Sequence, residues 1–359
     1  MKGVKKMDQP KLANSEQMRD LSEQVARRAR VSGSKVLMFR DFTDAMTELL
    51  TLTDISSSSV LVAGHASPDV AIAVDRAGLK LTELLGSSPF CSDCERILEA
   101  VSTGDETVYL ANPNRITGAT FPLSDLRRLA GRLTGGCLII DEYGFDFYGI
   151  TGVPLLDMFP NVVLLRSFAA GYSIGSQSGF AIARSELIHH LKESCRWQKM
   201  SASLRKLVMT TLSNDAVQGM LLKELHDESL RIATVLTRLG IQNRITPTDF
   251  LLMRVADPKR VGNFLAANRT PIENLDGYPG LQHYIRYTIQ SRISNDNFLT
   301  AFRKMPAEYY RMDTVDRRVT TLRRHSERES TLPANNRVTG ILQEENPVTE
   351  VEEAATTRE

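Results

Sequence analysis

Of 359 residues only 6% are aromatic, one is tryptophan and four are cysteine. So few cysteines in so long a chain make no disulfide framework, and Cys137 falls inside an apolar run of strand length. Charge of one sign is not in excess either, since 44 Lys and Arg face 43 Asp and Glu and leave a formal net charge of +1. No global field therefore argues for nucleic acid, a polyanion or a membrane surface as partner. Long hydrophobic runs are missing as well. The longest, around Cys137–Ile140 and Asn161–Leu165, suit strands and fall far short of a membrane span. The first ten residues are polar and charged, without the apolar core of a secretory signal, so a cytoplasmic protein is expected. Cys91-Ser-Asp-Cys94 has a suggestive spacing, but no second ligand pair lies near it, and it reads as two thiols at a loop-to-helix junction.

What is present alternates in a regular way. Residues 1–34 read as an N-terminal arm with a helical pattern from Ser15 to Arg30. From 35 to 210, short and nearly continuous apolar strands (Ser59–Ala63, Thr107–Ala111, Gly136–Asp141, Val162–Arg166, Gly179–Ala183) alternate with helices (Asp41–Leu52, Pro68–Ala77, Pro122–Leu133). That order predicts an α/β fold whose mostly parallel sheet is covered on both faces, with ligands at the carboxyl ends of the strands. A long helical stretch, Glu186–Leu239, leads into a smaller α+β C-terminal domain over 211–312, with strands Phe250–Val255 and His283–Ile289 and helices Val261–Asn268 and Asn295–Lys304. The tail, 313–359, is basic, then Ser/Thr/Asn-rich, then acidic, with almost no aromatics, and is expected to be disordered.

Two motifs carry chemistry. Asn112-Pro-Asn-Arg-Ile-Thr-Gly118 follows one strand, and Asp141-Glu-Tyr-Gly-Phe-Asp-Phe147 ends the next. Together with Asn161-Val-Val-Leu-Leu-Arg-Ser-Phe168 and Gly277-Tyr-Pro-Gly-Leu-Gln-His-Tyr-Ile-Arg286, they resemble the class I/II pyridoxal-phosphate-dependent aminotransferases of fold type I. The nearest likeness is to histidinol-phosphate aminotransferases, whose stretches read Asn-Pro-Asn-Asn-Pro-Thr-Gly and Asp-Glu-Ala-Tyr. The resemblance implies that Asp141 pairs with the cofactor's ring nitrogen, that Asn112 donates to the ring hydroxyl, and that Arg286 grips a substrate carboxylate. Ser167 and Gln177 fall among the cofactor-binding positions. The resemblance also implies a subunit-interface site, hence a homodimer or a heterodimer with an intact relative.

The departures from the family pattern are chemical. Where the family has Ser/Thr-Phe-Ser-Lys, with the Lys forming the Schiff base, this chain has Ser167-Phe168-Ala169-Ala170, and no lysine lies between Lys80 and Lys192. The family's Gly-x-Arg-x-Gly becomes Gly175-Ser-Gln-Ser-Gly179, which exchanges a charged phosphate contact for a neutral one. The helix start that should receive the phosphate reads Phe39-Arg-Asp-Phe-Thr-Asp44, acidic and without glycine. His65 stands near the ring-stacking position and reads as a solvated loop histidine, and Tyr143 sits one place early. These losses predict an aminotransferase-like pseudoenzyme in a binding, regulatory or accessory role, with no catalytic residue. No covalent cofactor is expected, pyridoxal phosphate should bind only weakly, and the remaining ligand would be small and amino-acid-like. The alternative is a biosynthetic enzyme acting on an amino acid by chemistry independent of that lysine.

Overall fold

The structure, a computed structural model, describes residues 20–52, 58–168, 178–193, 200–213 and 215–312. The first half runs α1 (20–29), β1 (Val36–Phe39), α2 (Phe42–Thr51), β2 (Ser59–Ala63), α3 (Pro68–Arg76), β3 (Lys80–Leu84), α4 (Cys94–Ala100), β4 (Thr107–Ala111), α5 (Leu123–Arg132), β5 (Cys137–Asp141), the single turn α6 (Phe145–Tyr148), β6 (Val162–Ser167) and β7 (Gly179–Ile182). The strands join in the order β1-β7-β6-β5-β4-β2-β3. β2 to β6 are mutually parallel, and β7 runs antiparallel between β6 and β1. The continuous apolar runs of β4, β5 and β6 have the reason the sequence suggests. Alternate residues enter two separate cores, Val108, Leu110, Leu138 and Ile140 on one face and Tyr109, Ala111, Cys137 and Ile139 on the other. α1, α4 and α5 cover the first face, and α2, α3 and α7 (Ser185–Glu193) the second. The helical half of the expected arm is therefore packed, with Leu21, Val25 and Ala26 buried against the sheet.

α8 (Ala202–Leu212) and α9 (Asp215–Arg238) lead to β8 (Gln242–Ile245), β9 (Phe250–Arg254), α10 (Pro258–Ala267), β10 (Glu273–Asn274), β11 (Tyr284–Thr288), α11 (Arg292–Lys304) and α12 (Ala307–Tyr310). These strands form an antiparallel sheet ordered β10-β11-β9-β8. α9, α10 and α11 bury one face around Met253, Ile285, Tyr287 and Phe298. The other face, Phe250, Leu252, Leu275 and Leu281, packs against Ile116 from the loop after β4. Both sheets belong to one compact unit.

Among the described residues, the long helical stretch expected from Glu186 to Leu239 holds three helices, α7, α8 and α9. Ser201 restarts the chain by capping α8, its hydroxyl accepting from the amide of Leu204. Among the described residues no helix is long and apolar enough to cross a membrane, and no group of three or more His, Cys, Asp or Glu is placed to hold a metal ion. Cys91 is exposed, while Cys94 opens α4 in the core, where burial and neighbouring carboxylates push its thiol up to about 11.

Candidate functional site

The site lies at the carboxyl ends of β4 and β5, where the loop 112–118 leaves the large sheet. Asparagine side chains hold that loop in shape. The Asn112 amide spans Phe121, donating to its carbonyl at 3.0 Å and accepting from its N–H at 2.8 Å. Asn114 accepts from the amides of Ile116 and Thr117, both at 3.0 Å, and donates to the carbonyl of His65 at 3.1 Å. Gly118 closes the turn at φ +71°, where a Cβ would lie 2.6 Å from the Cβ of Thr246, so the position accepts only glycine. Between these anchors the loop delivers Arg115.

Arg115 fills the space in front of Asp141. Its Nε and Nη2 reach the two carboxylate oxygens in a fork, Nη2 to Oδ1 at 3.1 Å. Tyr109 donates its hydroxyl to Oδ2 at 2.6 Å, and the backbone N–H of Tyr143 donates to Oδ1 at 3.1 Å. A carboxylate offers about four lone-pair sites, and the fully buried Asp141 has four donors on it. The guanidinium lies between two aromatic rings, 4.5 Å from the centroid of Phe42 and 4.5 Å from that of Tyr143. Burial opposes its charge, but the facing Asp141 more than offsets this and holds it protonated. Burial, reinforced by Asp141, keeps the Tyr109 phenol neutral well above its ordinary range. The hydroxyl of Tyr143 reaches both oxygens of Asp249 at 3.3 Å, and burial raises the affinity of each for its proton.

Arg286, on β11, lies beside this cluster and is engaged twice. It donates to the carbonyl of Arg115 at 2.6 Å and pairs with Glu273, its cross-strand partner on β10, at 2.5 Å. Its guanidinium lies 4.8 Å from the centroid of the Phe250 ring. Ser167 ends β6, buried, with its hydroxyl 3.5 Å from the carbonyl of Ser178. Gln177 and Ala170 lie outside the described residues. At the head of α2, the Asp41 carboxylate accepts from the amide of Asp44 at 3.0 Å, which puts an acidic group on the amides that the resemblance reserves for a phosphate. His65 is not a solvated loop residue. It is buried, edge-on to Tyr278 at 5.5 Å, and its ring nitrogens make no hydrogen bond, so burial lowers its affinity for a proton.

Of the positions expected from the sequence, Asn112, Asp141 and Arg286 thus come together on one loop and two strand segments. Arg115, Tyr109, Phe42, Asp249 and Glu273 complete the cluster without having been expected there. Arg115 alone left a sequence signal, as a cation inside a motif that is neutral in the family. Next to this geometry, a match to the aminotransferase class I and II family spans residues 9–287.

The chain belongs to that family.

A histidinol-phosphate aminotransferase of Chlorobium luteolum is 30% identical over 58% of this chain, and the match covers 59% of that relative. Another, from Caldanaerobacter subterraneus, is 24% identical over 79% of this chain and 82% of its own length. Among solved structures, the histidinol-phosphate aminotransferase of Sinorhizobium meliloti in complex with pyridoxal-5'-phosphate superposes with a TM-score of 0.73 at 18% identity, over 79% of this chain and 80% of that one. At that identity the likeness concerns the fold.

Proposed function

We propose that this aminotransferase-family chain performs no transamination and keeps the fold for a binding, regulatory or accessory role, as a homodimer or beside an intact relative. The observation that carries this reading is the alanine at position 170, in Ser167-Phe168-Ala169-Ala170, with no lysine between Lys80 and Lys192. A methyl group can neither bond to an aldehyde nor carry a proton. The described residues support the reading independently. Pyridoxal phosphate, which a solved relative binds, asks Asp141 for a free acceptor and α2 for free amides. Here Asp141 carries four donors and Asp41 caps the helix. The residues present do not fit the cofactor. An amino-acid-like ligand reaching Arg286 would have to displace Glu273 first.

The test is reduction of the purified protein with borohydride after incubation with pyridoxal phosphate, followed by peptide mapping. The expected result is no stoichiometric adduct on any one lysine and no conversion of the aldehyde to the amine form by added amino acids above the rate of free cofactor. A stoichiometric adduct on a single lysine that also supports this conversion overturns the reading, whereas scattered substoichiometric labelling of surface lysines is the chemistry of any lysine-bearing protein.

A further inference from the structure

We propose that Arg115 is a built-in substitute for the cofactor's ring cation, and that this substitution has turned the old reaction centre into a latch between the two sheets. By the resemblance, a bound pyridinium would pair its ring nitrogen with the carboxylate of Asp141 and would stack on an aromatic ring. The Arg115 guanidinium is a flat cation, forked onto Asp141 and sandwiched between Phe42 and Tyr143 at 4.5 Å each. It meets each of those requirements with the chain's own atoms. The first turn of α2 supplies one of the two rings, and the same turn carries its own anion in Asp41. Both ends of the cofactor's binding place thus hold side chains of matching charge, a cation on Asp141 and, at the head of α2, a carboxylate on the amide of Asp44.

The latch follows from where Arg115 is anchored. Its side chain closes on β5 of the large sheet through Asp141, while its carbonyl accepts from Arg286 on β11 of the small sheet at 2.6 Å. Ile116, the next residue, is buried among Phe250 and Leu252 of that sheet and Leu275 and Leu281 of the segment joining its strands β10 and β11. Tyr143 makes a second tie, stacked on Arg115 and hydrogen-bonded to Asp249 just ahead of β9. A cofactor entering this space would have to break the Asp141 fork and unseat the loop that joins the sheets. This inference rests on the proposed function but is stricter, because it excludes the cofactor without reference to residue 170.

The test uses pyridoxamine 5'-phosphate, which keeps the ring and phosphate but has no aldehyde to attach to surface lysines. Calorimetric titration of the full chain is expected to show no saturable binding to the wild type. Arg115→Asn frees two acceptor positions on Asp141 and is expected to bind about ten- to a hundredfold more tightly, the range of one charge-assisted hydrogen bond. Should Arg115→Asn fold poorly, the wild type itself decides through the Nε–H resonance of Arg115 in ¹⁵N spectra. That proton is expected to exchange slowly with water and not to shift as pyridoxamine 5'-phosphate is added. Wild-type binding as tight as that of Arg115→Asn, or an Arg115 Nε–H that exchanges as fast as a surface arginine, overturns the proposal and leaves the proposed function standing. Conversion of pyridoxal phosphate to its amine form by the wild type with an amino acid, above the rate of free cofactor, overturns the proposed function instead.

Discussion

Asp141 is fully buried, and the side chain that neutralises it, Arg115, is 12% exposed. Removing one partner from such a pair leaves the other charged and poorly solvated, at a cost of roughly 3–5 kcal/mol, whereas replacing both with apolar groups of similar volume is often neutral. Asp141→Asn is therefore expected to lower unfolding stability by about 3 kcal/mol, and Asp141→Leu combined with Arg115→Met to recover most of that loss. Urea unfolding of Asp141→Leu, Arg115→Met and the double gives the coupling directly. A stability for Asp141→Asn within about 0.5 kcal/mol of wild type, the range of ordinary surface substitutions, would show that the pair is not buried in solution. The same pair bears on restoration. Ala170→Lys supplies an amine but leaves Arg115 on Asp141 and Asp41 on α2, so a spectral assay with a panel of amino acids should find at most trace half-reaction. Robust turnover from that single change would show the site intact. Asp141 and the odd cation at Arg115 were both legible in the motifs, but their pairing was not, because an isolated arginine in a loop is ordinarily solvated and only the fold reveals which carboxylate it faces.

At the level of elements, the best-read parts of the chain were those whose surroundings repeat. β4, β5 and β6 are buried on both faces, so all their positions but Thr107 and the carboxyl-end Asp141, Arg166 and Ser167 are apolar or aromatic, and the strand length shows directly in the sequence. β3 escaped notice because it pairs only with β2 at the sheet edge and mixes Lys80, Thr82 and Glu83 with leucines, a pattern a half-exposed strand shares with a loop. The joining of α9 to α11 was equally invisible, since it depends on Glu228. That carboxylate accepts from Arg231 at 2.9 and 2.6 Å, from Arg292 at 2.8 Å and from Asn295 at 2.9 Å. Hydrogen bonds from Arg231, then from Asn295, with the nearby arginine charges, outweigh burial and draw its pKa down to about 2. With a folded value below the unfolded one near 4.3, the unfolded chain binds the proton first. The contribution is therefore complete above about pH 5 and is lost as pH falls toward 2. Glu228→Gln should flatten the acid limb of the stability profile between those limits while changing its slope at neutral pH little. An unchanged acid limb, measured by denaturant unfolding across the range, would remove Glu228 as its source.

On the scale of the whole molecule, the sequence conveyed the α/β layers and the second sheet, each of which follows from local periodicity. It did not convey the joint between them, which is made by Arg115 and Ile116 of the loop after β4 and by Tyr143 just after β5. The proposed assembly is a homodimer, or a heterodimer with an intact relative. Sedimentation at micromolar concentration should give a dimer mass, alone or with an intact relative added. A monomer under both conditions counts against the assembly. The forked pair at Asp141 carries one more consequence, for the history of the chain. A buried acid with an internal counter-ion is kept by the requirement to fold, whatever reaction its site does or does not perform. Each half of the pair penalises the loss of the other, so drift cannot erase them singly. On the proposed function, Asp141 stands as masonry, held in place by the fold and by no reaction.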